Sequence, residues 1–156
     1  MSNVSTAVLL DVNVLVAIAW PNHVHHPTAR GWFVANRSAG WATCPITESG
    51  FVRVSSNRRA MPAAVSPGEA IALLTRLRAQ PGHTFWADPV SIAGSVHVPR
   101  SRLASHGQVT DAHLLALARE HGGRIATFDR GLAVLAEPHG ARDVELLELE
   151  RAGYQA

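Results

Sequence analysis

Four of the twelve acidic residues, Asp11, Glu48, Asp111 and Asp129, share a setting. Each stands at an expected strand end or in the first turn of an expected helix. In an open α/β sheet such positions converge on one rim, where ligand sites gather. Four bare carboxylates on one rim would repel one another. Hard divalent cations resolve that conflict, because Mg²⁺ and Mn²⁺ take oxygen ligands. Metal–carboxylate sites of this kind serve phosphoryl chemistry: the ion polarises the phosphate, makes hydroxide from bound water and steadies the leaving oxygen. Two plainer roles stand beside this one. Asp11 could simply cap the helix after it, and Glu48 could complement a helix dipole. Asp143, Glu145, Glu148 and Glu150 cluster near the C-terminus and read as solvated charge.

Other chemistries lack their residues. All fourteen basic residues are Arg, so a P-loop Lys, a Schiff-base Lys and the Lys of receiver domains are excluded. No Ser-His-Asp order, cysteine nucleophile, Gly-rich dinucleotide loop or Walker sequence is present. Cys44 is the only cysteine, which rules out an internal disulfide framework and fits a reducing, cytoplasmic setting. His23, His25 and His26 invite a zinc reading, but no Cys or acid stands at zinc-finger spacing beside them. The apolar runs are broken too early for a membrane span, and no signal peptide is evident. The net charge of +2 permits a nucleic-acid partner without demanding one.

The elements that must position the acids follow from pattern. Ala7 to Leu10 reads as a buried strand and Val14 to Trp20 as a buried helix, with Asp11 at the handover. A second helix opens at His23–Pro27 and runs toward Arg37. Trp41 to Cys44 is a strand, and Pro45 starts a helix that reaches Asn57 and carries Glu48. Arg53, Arg58 and Arg59 follow; they read equally as a phosphate-facing edge or as a solvated helix end. Ser66-Pro67-Gly68-Glu69 resembles a capping box, opening a helix with Ile71, Leu74 and Leu77 on one face. His83 to Trp86 suggests a strand, and 89–99 an irregular link or short helix. Thr110 or Asp111 caps a patterned helix that stops at Gly122-Gly123. Arg124 to Phe128 is a strand closed by Asp129, Gly131 to Ala136 a short helix, and Val144 to Leu147 a last strand. This alternation argues for one α/β domain over residues 1–150, with a parallel sheet flanked by helices on both faces and a polar tail at 151–156. Trp32, Trp41 and Trp86 read as interface or core.

Leu9-Leu10-Asp11-Val12-Asn13-Val14-Leu15, Glu48 early in a helix, Thr110-Asp111-Ala112 opening a helix and Thr127-Phe128-Asp129 ending a strand resemble the four acidic motifs of PIN-domain ribonucleases. Order, spacing and length are most similar to the VapC toxins of VapBC toxin–antitoxin pairs. The resemblance implies a PIN-like fold and a metal-dependent endoribonuclease. It implies Asp11 and Asp111 as direct Mg²⁺ ligands, with Mn²⁺ an alternative ion. Glu48 would act on the metal site or its waters, and Asp129 from outside the direct ligands. Asn13, Thr110 and Thr127 would be supporting polar groups, and the active sites would lie along a basic groove, for which Arg53, Arg58 and Arg59 are the candidates this sequence offers. Many relatives carry Thr or Ser after the first Asp, where this chain has Val12. The implied substrate is single-stranded or loop RNA, such as tRNA or rRNA. The implied partners are a VapB-type antitoxin, operator DNA through that antitoxin, and a second copy in a homodimer.

Three other readings compete. A dehalogenase-like phosphatase would need Asp-x-Asp and a catalytic Lys; Asn13 and the lack of Lys oppose it. A PIN scaffold without catalysis would be expected to lose acids, and all four are present. A PIN nuclease serving RNA processing outside a toxin–antitoxin pair is left open by the sequence.

Overall fold

The computed structural model describes residues 7–148. The expected tail at 151–156 and Glu150 lie outside them. Five strands, all parallel, form one sheet in the order β3-β2-β1-β4-β5. They are β1 (Val8–Leu10), β2 (Trp41–Thr43), β3 (His83–Phe85), β4 (Arg124–Thr127) and β5 (Val144–Leu146). The chain winds outward from β1 through β2 to β3, then crosses back to lay β4 on the other side of β1. The winding direction therefore switches between β1 and β4, and such a switch opens a crevice at the carboxyl ends of the two strands.

Alternation along β1 divides the core in two. Successive strand residues face opposite sides, and Leu9 belongs to one apolar layer while Val8 and Leu10 belong to the other. The Leu10 layer is covered by α1 (Val12–Ala19), α2 (His26–Asn36), α3 (Pro45–Ser55) and α4 (Pro67–Arg78) through Val14, Leu15, Phe33, Phe51, Leu74 and Leu77. The Leu9 layer is covered by α5 (Val109–Glu120) and α6 (Arg130–Leu135) through Leu114, Leu115, Leu132 and Leu135. The remaining helix, α7 (Gly140–Asp143), leads directly into β5. Helices thus cover both faces, as the alternation predicts. Among the described residues no helix is long and apolar enough to cross a membrane.

Several expectations are corrected. The helix expected from His23 starts at His26, because the preceding residues form a turn in which the His25 N–H donates to His23 Nδ1. Neither Thr110 nor Asp111 caps α5. A 3₁₀ turn over His106–Gln108 runs straight into it, so the helix begins at Val109 and Asp111 lies in its first turn. Ile71 is exposed, and Ala70 takes the inward position with Leu74 and Leu77. The Ser66–Glu69 capping box forms, with each partner accepting from the other's backbone N–H. Trp41 and Trp86 are core residues, whereas Trp32 is half-buried and donates from Nε1 to Glu145.

The C-terminal acids are not all solvated charge. Asp143 is buried, accepting from Arg119 Nε at 2.9 Å and Arg142 Nε at 2.8 Å. Burial would raise its pKa, but the two guanidiniums outweigh that and hold it below the ordinary value. Glu145 pairs with Arg124. Glu148 is exposed as expected.

Candidate active site

Asp11 ends β1 and caps α1. Its Oδ1 accepts from the Val12 N–H at 2.8 Å, which satisfies one of the free donors of the helix start. The capping role and the site role therefore fall on one carboxylate. Its Oδ2 accepts from the Thr127 hydroxyl at 2.7 Å. Thr127 ends β4, the neighbour of β1 across the switch, and is fully buried. A hydroxyl has one proton and two lone pairs, and all are used here. The proton goes to Asp11, while the lone pairs accept from the Asp129 N–H at 3.0 Å and Asn13 Nδ2 at 3.3 Å. Asn13 returns along α1 to accept from the Phe128 N–H through Oδ1. One buried hydroxyl thus ties the first and fourth acidic segments together.

Asp129 caps α6, accepting from the Gly131 N–H, and is otherwise exposed. Asp111 projects from the first turn of α5 and is half-buried. Its pKa is raised to about 6, first by burial, then by the charges of Asp11 and Asp129 and a shared hydrogen bond with Asp129. Asp11 is raised as well, chiefly by burial; the bonds from Thr127 and Val12 offset part of that, and Asp129 adds to it. The fold therefore brings Asp11, Asp111 and Asp129 close enough to act on one another. Among the described residues, none of the ion pairs involves these three. No three His, Cys, Asp or Glu side chains there already surround a common metal position. The donor set is nonetheless that of a hard divalent cation: carboxylate oxygens, mutually repelling, with no side-chain cation paired to them among the described residues.

Glu48 lies in the first turn of α3, in a separate set of bonds. Its Oε2 accepts from the Thr43 hydroxyl at 2.6 Å, and its Oε1 faces Arg78 Nη1 at 3.4 Å. Thr43 ends β2 as Thr127 ends β4, and it also meets His83 Nε2 at 2.7 Å. The two sets touch through packing. Gly50, on α3 two residues after Glu48, lies so close to Val12 that a Cβ there would stand 2.5 Å from Val12 Cγ2. Val12, the departure from the usual Thr or Ser, is thus lodged against the helix that carries Glu48.

The remaining sequence candidates are spread out. Thr110 is exposed and makes no side-chain hydrogen bond to the described residues. Arg53 is in the last turn of α3, and Arg58 and Arg59 follow the helix; all three are exposed. They stand at the end of α3 opposite Glu48. Thr43, Arg78 and His83 escape a reading of the sequence alone. Thr43 could have been found by analogy, as a Thr closing a strand just before an acid. No local signal marks Arg78 or His83, which reach Glu48 and Thr43 from 30 and 40 residues away.

The PIN domain family model matches residues 8–138. The chain is 51% identical over 141 residues to Ribonuclease VapC38 of Mycobacterium tuberculosis (strain ATCC 25618 / H37Rv), covering 90% of this chain and 98% of that one. It is 50% identical over 139 residues to Ribonuclease VapC39 of the same strain, covering 89% and 98%. In fold it resembles the crystal structure of Mycobacterium tuberculosis VapC20, described as a sarcin-ricin loop cleaving toxin. The TM-score is 0.58 at 13% identity, covering 82% of this chain and 94% of that one. With Asp11, Asp111 and Asp129 brought together beside the β1/β4 crevice and these relatives spanning nearly its full length, the chain belongs to the PIN-domain family, among the VapC toxin ribonucleases.

Proposed function

We propose that this ribonuclease is a Mg²⁺-dependent endoribonuclease toxin that hydrolyses a phosphodiester bond of cellular RNA, tRNA or rRNA, with Mn²⁺ an alternative ion. The observation that carries this reading is the uncompensated group of carboxylates. Asp111 has its pKa raised to about 6 by burial and by Asp11 and Asp129, with no side-chain cation among the described residues to relieve it. In the proposed site Asp11 and Asp111 hold the cation. When bound, a divalent cation supplies Lewis-acid polarisation of the phosphodiester and a lowered pKa for the water it holds. Thr127 and the Val12 amide keep both Asp11 oxygens turned in fixed directions. Asn13 supports Thr127, and Asp129 adds negative charge at the rim. Glu48, fixed by Thr43, orients water at the edge of the site. Thr110 contributes at most an exposed hydroxyl beside Asp111. Arg53, Arg58 and Arg59 would grip RNA phosphates away from the cut.

The same reading makes residues 1–150 a single nuclease domain with 151–156 as a polar tail. It assigns the protein a VapB-type antitoxin, a second copy in a homodimer, operator DNA through the antitoxin, and a cytoplasmic setting. The names of its relatives support the antitoxin. Because VapC20 cleaves the sarcin-ricin loop, that loop is the first RNA to assay.

The test is cleavage of purified tRNA and rRNA with Mg²⁺, Mn²⁺ or EDTA, run beside Asp11→Asn and Asp111→Asn. Cleavage that needs metal and falls by orders of magnitude in both folded variants supports the reading. Equal cleavage by wild type and variants refutes the site. Metal binding without cleavage of either RNA would favour a PIN scaffold that binds without cutting.

A further inference from the structure

The bond set around Thr43 contains a residue that the acidic motifs do not predict. His83 opens β3, beside β2, and its Nε2 lies 2.7 Å from the Thr43 hydroxyl oxygen. The same oxygen lies 2.6 Å from Glu48 Oε2. Thr43 is fully buried, so no solvent competes for its hydroxyl. The hydroxyl has one proton. An ionised carboxylate can only accept, so that proton points at Glu48. The Thr43 oxygen then faces His83 with a lone pair, and His83 must present a proton on Nε2. The direction of the whole chain is thereby fixed: His83 Nε2–H donates to Thr43, and Thr43 O–H donates to Glu48. Trp41 packs on the imidazole with ring centroids 4.7 Å apart and holds its plane.

We propose that His83 is a positioning residue, locking the Thr43 hydroxyl so that its proton orients the Glu48 carboxylate. The proposal rests on the reading of Glu48 as part of the active site. The arrangement parallels the other side of the crevice. There Thr127 donates to Asp11 while the Asp129 N–H and Asn13 Nδ2 fill its lone pairs. In each case the last threonine of a strand aims an acid and is itself aimed by a second donor. His83 is suited to the task because burial, then the charge of Arg78, lower its pKa against an opposing pull from Glu48. A neutral ring has one N–H, and the neighbouring hydroxyl selects Nε2 to carry it. Arg78 bonds the other Glu48 oxygen from outside, so the carboxylate is held at both ends.

Two measurements test this. The first is the tautomer of His83 in metal-free protein, read from long-range ¹H–¹⁵N spectra of histidine-labelled full-length chain. The Nε2–H form is expected, and a predominant Nδ1–H form overturns the proposal. The second is steady-state cleavage of a fluorescence-quenched RNA hairpin that the wild type cuts, in Mg²⁺. The variants are Glu48→Gln, His83→Leu, His83→Gln and Thr43→Val, with urea midpoints for each. His83→Leu keeps apolar bulk against Trp41 but removes the donor; His83→Gln restores an amide N–H at similar reach. Losses of about 10- to 100-fold are usual when a partner that orients a site ligand is removed. A loss of that size in kcat is expected for His83→Leu, with KM nearly unchanged and recovery to within about threefold in His83→Gln. Thr43→Val should show the same loss, and adding His83→Leu to it should cost nothing more, because both break one chain. If Glu48→Gln abolishes cleavage while His83→Leu and Thr43→Val match wild type, the positioning role fails and Glu48 stands. Equal losses in His83→Leu and His83→Gln would reduce His83 to packing on Trp41. Wild-type activity in Glu48→Gln would overturn the assignment of Glu48 and this proposal together.

Discussion

Replacing Asp111 with Asn should stabilise the metal-free protein while removing its activity. The folded-state pKa of Asp111 is about 6 against an ordinary 3.8, a shift of roughly two units driven by burial and by Asp11 and Asp129. Each unit corresponds to about 1.4 kcal/mol, for a ceiling near 3 kcal/mol. The side chain is only partly buried, and solvent screening reduces that to roughly 1.5 kcal/mol of strain at pH 7. The sign follows from proton counting. Between pH 4 and pH 6 the folded protein keeps a proton that the unfolded chain has lost. The Asp111 contribution to stability is therefore most favourable below pH 4 and is lost as pH rises through 6. The assay is thermal unfolding in EDTA from pH 4 to 7.5. For a domain of this length about 1.5 kcal/mol moves Tm by roughly 3–6 °C. Asp111→Asn should melt that much higher than wild type at pH 7, and the gap should vanish near pH 4. Asp143, lowered, lies outside this group and cancels between the two proteins, whereas Asp11 is coupled to Asp111, so the difference between them reports the repulsion within the carboxylate group. Millimolar Mg²⁺ should raise the Tm of wild type, since a ligand that binds only the folded state stabilises it, and should leave the variant nearly unmoved. An Asn variant that melts lower than wild type in EDTA, or a gap that persists at pH 4, would refute the idea that these carboxylates strain one another.

Other substitutions probe the supports. Thr127→Val removes the donor to Asp11 and the acceptor of two N–H groups, and should lower stability at pH 7 by about 2 kcal/mol in urea unfolding. Gly50→Ala pushes a Cβ against Val12 and should cost about 1–3 kcal/mol, with Val12→Ala in the same chain restoring most of it; additive losses would show that the two residues do not share the space. Asp143→Asn strips the buried partner of Arg119 and Arg142 and should cost about 3 kcal/mol, with activity per folded molecule unchanged. Its stabilising charge is present above the ordinary carboxylate pKa and lost as pH falls through its lowered one, opposite in direction to Asp111. Arg58→Glu with Arg59→Glu should weaken RNA binding and flatten its salt dependence; an unchanged slope would remove these arginines from the RNA path.

The sequence by itself determined the elements and the addresses of the acids. Short apolar runs alternating with longer periodic segments encode a parallel sheet with helices on both faces. Asp11, Glu48, Asp111 and Asp129 stand at the junctions of those segments, and the junctions are visible because capping and apolar periodicity act over a few residues. Tertiary structure alone decided which side chains hold those acids. The bond from Thr127 to Asp11 spans 116 residues of chain and exists because β4 is laid beside β1. His83 reaches Thr43 across 40 residues because β3 pairs with β2. Asp143 passes for a surface charge until α5 brings Arg119 to it. Strand order is set by which crossovers let both apolar layers close at once, a property of the whole chain that no local window contains.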